Sequence, residues 1–191
     1  MRPLTRDNEV TVWQGVRVGE SAAVVAAASV GTFDDYVTTR SASLLRFAYL
    51  VTRNTEDAHD AVQDALIGLY PRWQQIAARG GVDAYVRRSI VNAHVSAWRK
   101  VRRLFPVEDP AVLSAAPVVP DASEAVADAD QALRLCGELP PLQRAAVVLR
   151  FYEDRTFAEI AGILGCPEGT ARSHVHRALQ SLRTKLEAGE A

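Results

Sequence analysis

Between Ala84 and Arg103 the sequence AYVRRSIVNAHVSAWRKVRR holds six basic side chains and no acidic one. Laid on a helix at about 100° per residue, Arg88, Asn92, Ser96, Arg99 and Arg103 share one side. They form a polar-basic stripe roughly 20 Å long at the 1.5 Å rise of an α-helix. Guanidinium groups at this density suit phosphate oxygens, and the Asn92 amide can donate to and accept from the edge of an unpaired base. A solvated helix face normally mixes both signs of charge, so the lack of acid points to nucleic-acid contact. Val86, Ile90, Ala93, Ala97, Val101 and Leu104 gather opposite as the predicted core face. Arg87 and Trp98 flank the stripe. Packing and base stacking both remain open for Trp98.

A second group lies in TFAEIAGILGCPEGTARSHVHRALQSLR, from Thr156 to Arg183. Thr156 followed by Glu159 is a capping box, which fixes a helix start. Phe157, Ile160, Ala161 and Leu164 give that helix a buried side. Gly165 supplies the left-handed backbone that ends it, and Pro167 suits the opening of the next helix. That second helix buries Ala171, Val175, Ala178 and Leu182, and turns Thr170, Ser173, His176, Arg177 and Gln180 outward with Arg172 at the flank. A short helix, a glycine turn and a second helix with a polar-basic face make a DNA-reading helix-turn-helix. Arg172 can pair with guanine, Thr170 and Ser173 suit bases or phosphates, and Arg177 suits a phosphate. A helical hairpin that merely packs is the alternative. His174 and His176 lack the spacing and third ligand of a metal site.

The elements that must position these groups are helical throughout. Leu44, Leu45, Ala48 and Val51 mark one face, and Ala58, Ala61, Val62, Ala65, Leu66 and Leu69 the next, with Thr55 as N-cap, Glu56 and Asp57 in the first turn and Pro71 as the stop. Leu142, Ala145, Ala146, Leu149 and Tyr152 mark a further helix after Pro140-Pro141. No alternating strand pattern occurs, so the fold class is all-α: two small helical domains on a flexible linker. Pro106, Pro110, Pro117 and Pro120 define that linker, residues 106–124. It separates a module over 33–105 from one over 125–187, and residues 1–32 read as a mobile extension.

The net charge of -1 conceals a sorted distribution: residues 33–105 carry +4, 106–130 carry -6 and 131–191 carry +1. The longest apolar run, Ala22 to Val30, is too short to span a bilayer. Cys136 and Cys166 are isolated and read as the reduced thiols of a cytoplasmic protein. No nucleophile-base pair or ligand cluster indicates catalysis, a metal or a cofactor.

Taken together, the segments from about Phe33 to Leu186 resemble a bacterial sigma factor of the extracytoplasmic-function group, nearest the actinobacterial SigE-type branch. DAVQDAL (Asp60 to Leu66) resembles the helix that docks on the β′ clamp helices of core RNA polymerase, which implies that Asp60, Gln63 and Asp64 contact polymerase. The opening segment resembles the helix that captures the -10 element and helps open the duplex. That implies DNA contact by Arg87, Arg88, Asn92, Ser96, Trp98, Arg99, Lys100, Arg102 and Arg103, with Asn92 at the family's base-contacting position. ELPPLQRAAVVLRFYEDRTFAEIAGILGCPEGTARSHVHRALQSLR resembles the -35-binding domain, which implies contact by Glu168, Gly169, Thr170, Arg172, Ser173, His176 and Arg177. The implied partners are core polymerase, including its β flap, and promoter DNA. An anti-sigma factor is a further candidate partner, and membrane insertion is not expected. Two rivals stay in view. A stand-alone helix-turn-helix regulator would leave the stripe and the 60–66 helix unused, and a nucleic-acid enzyme would need a reactive cluster that the sequence lacks.

Overall fold

A computed structural model describes residues 31–104 and 134–189, all helical or in short connections, with no strand among them. The linker and most of the N-terminal extension fall outside the described residues.

The N-terminal unit opens on a second capping box that the sequence reading did not single out. The Thr32 hydroxyl accepts from the Asp35 amide at 3.2 Å, and the Asp35 carboxylate accepts from the Thr32 amide at 2.8 Å. These reciprocal bonds satisfy two donors that a helix start leaves free. Helix α1 then runs Phe33–Thr52 and stops where Arg53 takes a left-handed φ of 61°. Helix α2, Thr55–Leu69, is capped by Asn54 rather than Thr55. The Asn54 side-chain oxygen accepts from the amides of Glu56 at 2.8 Å and Asp57 at 3.1 Å, so Thr55 is already helical. A 3₁₀ turn, Tyr70–Arg72, carries Pro71 and ends α2 as expected. Helix α3 (Trp73–Ala77) and Gly80, at φ 67°, lead into α4, Val82–Leu104.

The described part of the C-terminal unit opens with a helical turn over 134–137. Helix α5 spans Pro141–Val147 with proline at its first position, and continues as a π turn over Val148–Tyr152. Helix α6, Phe157–Leu164, has the capping box of Thr156 and Glu159 and ends at Gly165 with φ 66°. Helix α7 runs Glu168–Gly189.

The two units do not stand apart. Leu44, Phe47, Val51, Val86, Ile90 and Val91 of the first share one continuous core with Ala145, Leu149, Ile160 and Val175 of the second. A smaller cluster of Cys136, Leu139, Val147, Ala178 and Leu182 closes the far side of the C-terminal unit. The joining has a physical cause. A unit of a few short helices buries too small a fraction of its apolar surface alone, and α5 is buried nearly all round.

The shared core corrects the predicted face of α4. Val86 and Ile90 are buried as expected, together with Val82, Val91 and Val95. Ala97, Val101 and Leu104, expected inside, are exposed, Leu104 by 65%. Tyr152, expected in the face of the α5 segment, is also exposed, because the π turn adds a residue to the ring and rotates the following side chains.

Candidate nucleic-acid interface

Helix α4 is held at its first turn by a polar knot. Tyr36 donates from its hydroxyl to Asp83 at 2.9 Å, and Arg40 and Arg87 approach the same carboxylate at 3.5 and 3.3 Å. Burial and the Asp83 charge push the Tyr36 phenol far above its ordinary range, so it serves as a fixed donor. Tyr85 braces the other flank, accepting from Arg72 at 2.9 Å and donating to the Gly68 carbonyl at 3.3 Å. Beyond these anchors, Arg88, Asn92, Ser96, Arg99, Lys100, Arg102 and Arg103 are all exposed. Trp98 is half-buried, with the Arg102 guanidinium 5.1 Å over its ring, so ring and charge form one surface.

Arg87 departs from the expected DNA-facing position. Its side chain is only 5% exposed and its Nε donates to Glu153 Oε2 at 2.5 Å, across from the C-terminal unit. Burial opposes its charge, but the Glu153 bond and the Glu153 and Asp83 charges outweigh it and hold the guanidinium above its ordinary pKa. In this conformation Arg87 joins protein to protein. Arg88 is exposed, yet it lies against the helix-turn-helix turn: a Cβ placed on Gly165 would stand 2.8 Å from the Arg88 Nη2.

In the C-terminal unit Glu168, Gly169, Thr170, Arg172, Ser173, His176 and Arg177 are exposed together on the first turns of α7. Arg172, Ser173, His176 and Arg177 line one shallow hollow. Arg172 is pre-oriented, bonded to Glu168 at 3.1 Å and stacked 4.4 Å over the Phe157 ring. Ser173 returns its hydroxyl to the Gly169 carbonyl at 2.8 Å, leaving its oxygen free to accept. His174 is partly inward: burial first, then the Arg177 charge, lowers its pKa.

On α2, Asp60, Gln63 and Asp64 are exposed on one face. Sequence reasoning missed their neighbours Ile67 and Tyr70, which are 63% and 67% exposed. The available signal was that Ile67 falls off the apolar stripe of its own helix. Phe33 meets Tyr70 and Trp73 edge-on at 5.1 and 5.6 Å, so the three rings form one aromatic cluster at this end. Among the described residues no three His, Cys, Asp or Glu side chains converge on a point, and no helix is long and apolar enough to cross a membrane.

The family description "Sigma-70 region 2" matches residues 37–104, and "Sigma-70, region 4" matches residues 129–182. The RNA polymerase sigma-E factor of Streptomyces avermitilis is 39% identical over 156 residues, covering 82% of this chain and 86% of that one. The chain belongs to the sigma-70 family of RNA polymerase sigma factors. Its relatives place it in the extracytoplasmic-function group: the sigma factor SigM of Mycobacterium tuberculosis is 32% identical, over 81% of this chain and 76% of that one. A similar fold is found in the sigma factor RpoE of Bartonella quintana, solved in complex with the anti-sigma factor NepR. It has a TM-score of 0.64 at 22% identity and covers 81% of this chain and 96% of that one. Sigma factors direct polymerase to promoters and are non-catalytic, so this chain is a transcription initiation factor.

One group in this sigma factor couples its packing to pH. His94, on α4, has a buried Nε2 with no hydrogen-bond partner. Burial, and then the Arg144 charge, lowers its pKa from 6.5 to about 4. A base depressed in the folded state is stable as the neutral form, so its contribution is complete above about pH 6.5 and is lost as pH falls toward 4. Each pH unit within that window should cost about 1.4 kcal/mol. His174 has the same sign, whereas Asp35 and Glu159, lowered chiefly by backbone bonds to their capping threonines, act only below the ordinary carboxylate range. Thermal unfolding measured from pH 7 to 5 should therefore fall less steeply in His94→Leu than in the parent. Equal slopes would remove His94 from this role.

Proposed function

We propose that the factor divides promoter reading between its two units. On this reading α4 captures and holds an opened strand at the -10 element through Arg88, Asn92, Ser96, Trp98, Arg99, Lys100, Arg102 and Arg103, with Arg87 joining once it leaves Glu153. The first turns of α7 read the -35 duplex through Arg172, Thr170, Ser173 and His176, with Glu168, Gly169 and Arg177 setting register on the backbone. The unit boundaries follow: region 2 over about 33–105, region 4 over about 125–187, and a tether between them.

One observation carries this reading: Asn92, Ser96, Arg99, Lys100, Arg102 and Arg103 face outward with no acidic residue among them. A basic track with an amide and an aromatic ring is what an unpaired strand requires, since phosphates meet the charge while extruded bases meet the planar groups. Two modest surfaces on one chain bind a bipartite site better than either alone when both can engage together. Core polymerase would fix their separation by docking on Asp60, Gln63 and Asp64, with Ile67 and Tyr70 adding buried apolar area, and by holding the C-terminal unit at its β flap. The factor works in the cytoplasm with no cofactor, metal or chemistry of its own. An anti-sigma factor is a further partner, as the Bartonella relative has one.

The test is run-off transcription with core polymerase over a randomised promoter library. Discrete start sites with a shared upstream pair of motifs are expected. A folded chain that directs no start site would refute the assignment.

A further inference from the structure

Arg172 is held by more than its own helix. Three elements meet at one aromatic ring. Phe157 is the first residue of α6, and the capping box fixes where it stands: the Glu159 carboxylate accepts from the Thr156 amide at 2.8 Å, and its other oxygen accepts from Arg155 at 2.9 Å. The guanidinium of Arg172, in the second turn of α7, lies 4.4 Å over the Phe157 ring. Arg150, in the π turn, reaches the same ring at 5.3 Å and donates to the Arg155 carbonyl at 2.9 Å. The ring is half-buried and packs against the shared core. It does not line the hollow formed by Arg172, Ser173, His176 and Arg177, so its reach into that hollow is through Arg172.

This hold suits a side chain that must meet a base. An arginine on an open helix face samples many rotamers, and binding has to stop that motion. Glu168 restrains Nη2 at 3.1 Å, but a carboxylate engages the same N–H edge that a guanine needs. A ring engages the face of the guanidinium instead. Stacking on Phe157 therefore fixes the plane of the group and leaves edge donors for the base. An aliphatic side chain at this position would fill the space without offering a π face.

We propose that Phe157 is a specificity-determining positioning residue for the -35 element: its ring holds Arg172 with the N–H edge turned to the duplex, so discrimination at the base pair that Arg172 meets depends on a side chain of the other helix of the helix-turn-helix. This rests on the -35 reading given above, in which Arg172 meets a base. Ser173 is oriented separately, through the Gly169 carbonyl at 2.8 Å, so the influence of the ring is confined to the position read by Arg172.

The test uses polymerase carrying the full chain, with duplex promoters built on the strongest site from the run-off library and bearing each of the four base pairs in turn at every -35 position. Competition binding reads the preference at each position. Arg172→Ala first identifies the position that Arg172 reads, by losing preference there about tenfold or more. Phe157→Leu should lower preference at that same position about three- to tenfold and elsewhere by less than about twofold. A damaged fold would relax every position alike. Phe157→Tyr restores the ring face and should keep at least about half of the parent's preference. In the Arg172→Ala background, Phe157→Leu should cost nothing further at that position. Parental preference in Phe157→Leu would overturn the proposal, as would uniform relaxation across the -35 element. A Phe157→Tyr chain as relaxed as Phe157→Leu would also overturn it, as would a further loss in the double variant. All four results leave the promoter reading standing, because Arg172→Ala still relaxes one position. An Arg172→Ala chain with undiminished preference throughout would instead refute base reading by Arg172, and the proposal with it.

Discussion

Asn92→Ala is expected to slow open-complex formation by polymerase carrying this factor by one to two orders of magnitude. Binding to fully duplex promoter should change little. Asn92 is exposed at the centre of the stripe, between Arg88 and Arg99, and its planar amide can donate to and accept from one base edge at the same time. A well-made pair of hydrogen bonds to a base is worth about 1–3 kcal/mol, and an extruded base that loses them returns to its stack. The flanking arginines still hold phosphates in the variant, so the encounter is preserved. Arg172→Ala should do the reverse, relaxing preference at one or two -35 positions without slowing strand opening on a strong promoter. Permanganate footprinting for unpaired thymines, set beside filter binding of the closed complex, separates the two steps. Equal loss at the same step in both variants would show that the roles have been divided wrongly.

The largest effect on stability is expected from Phe47→Ala. Phe47 is fully buried among the residues that join the two units. The Arg87 guanidinium also lies 5.7 Å over its ring. Truncating a buried phenylalanine costs about 3–5 kcal/mol, since the cavity closes only in part. For a unit of this size that should lower the unfolding midpoint by 12 °C or more. The loss should also loosen Arg87, so Phe47→Ala should show the weakened interdomain contact even where helix content is retained. Leu104→Ala, at an exposed position on the same kind of helix, should shift the midpoint by no more than a degree or two. A Phe47→Ala protein melting within a few degrees of the parent would mean that the shared core is not the main support of the fold.

Much of this could be read from the sequence because it is local. The capping box at Thr156, the left-handed Gly165 and the buried stripe of Ala171, Val175, Ala178 and Leu182 depend on residues within a few positions of one another. So does the exposed stripe of Asn92, Ser96, Arg99 and Arg103, whose charge pattern carries its own meaning. What escaped depends on partners far along the chain. A helical wheel assumes one neighbour along the whole of α4. The first half of that helix instead has neighbours on two sides, which draws in Val91, Val95 and Arg87. The described residues of the second half have none on the expected face, which leaves Ala97, Val101 and Leu104 outside. Arg87 was read as a DNA ligand from its place beside the stripe and from the family resemblance, whereas its partner Glu153 lies 66 positions away. Phe47 was passed over for the aliphatic residues around it, and the π turn broke the register that placed Tyr152 inside.

The common core also bears on how promoter preference can be redesigned. Exchanging the C-terminal unit for that of another sigma factor would transplant α7 with its base-facing residues intact, and recognition would follow the donor. The buried faces of α5 and α6 would arrive shaped for a different α1 and α4, with no guarantee of a carboxylate opposite Arg87 or an arginine opposite the Val51 carbonyl. Such a hybrid would carry the residues for a new site on a poorly packed scaffold. Low stability in a chimera of this kind is then a fault of mismatched interior surfaces, to be cured by regrafting Glu153, Arg144 and their apolar surroundings and leaving the reading helix alone.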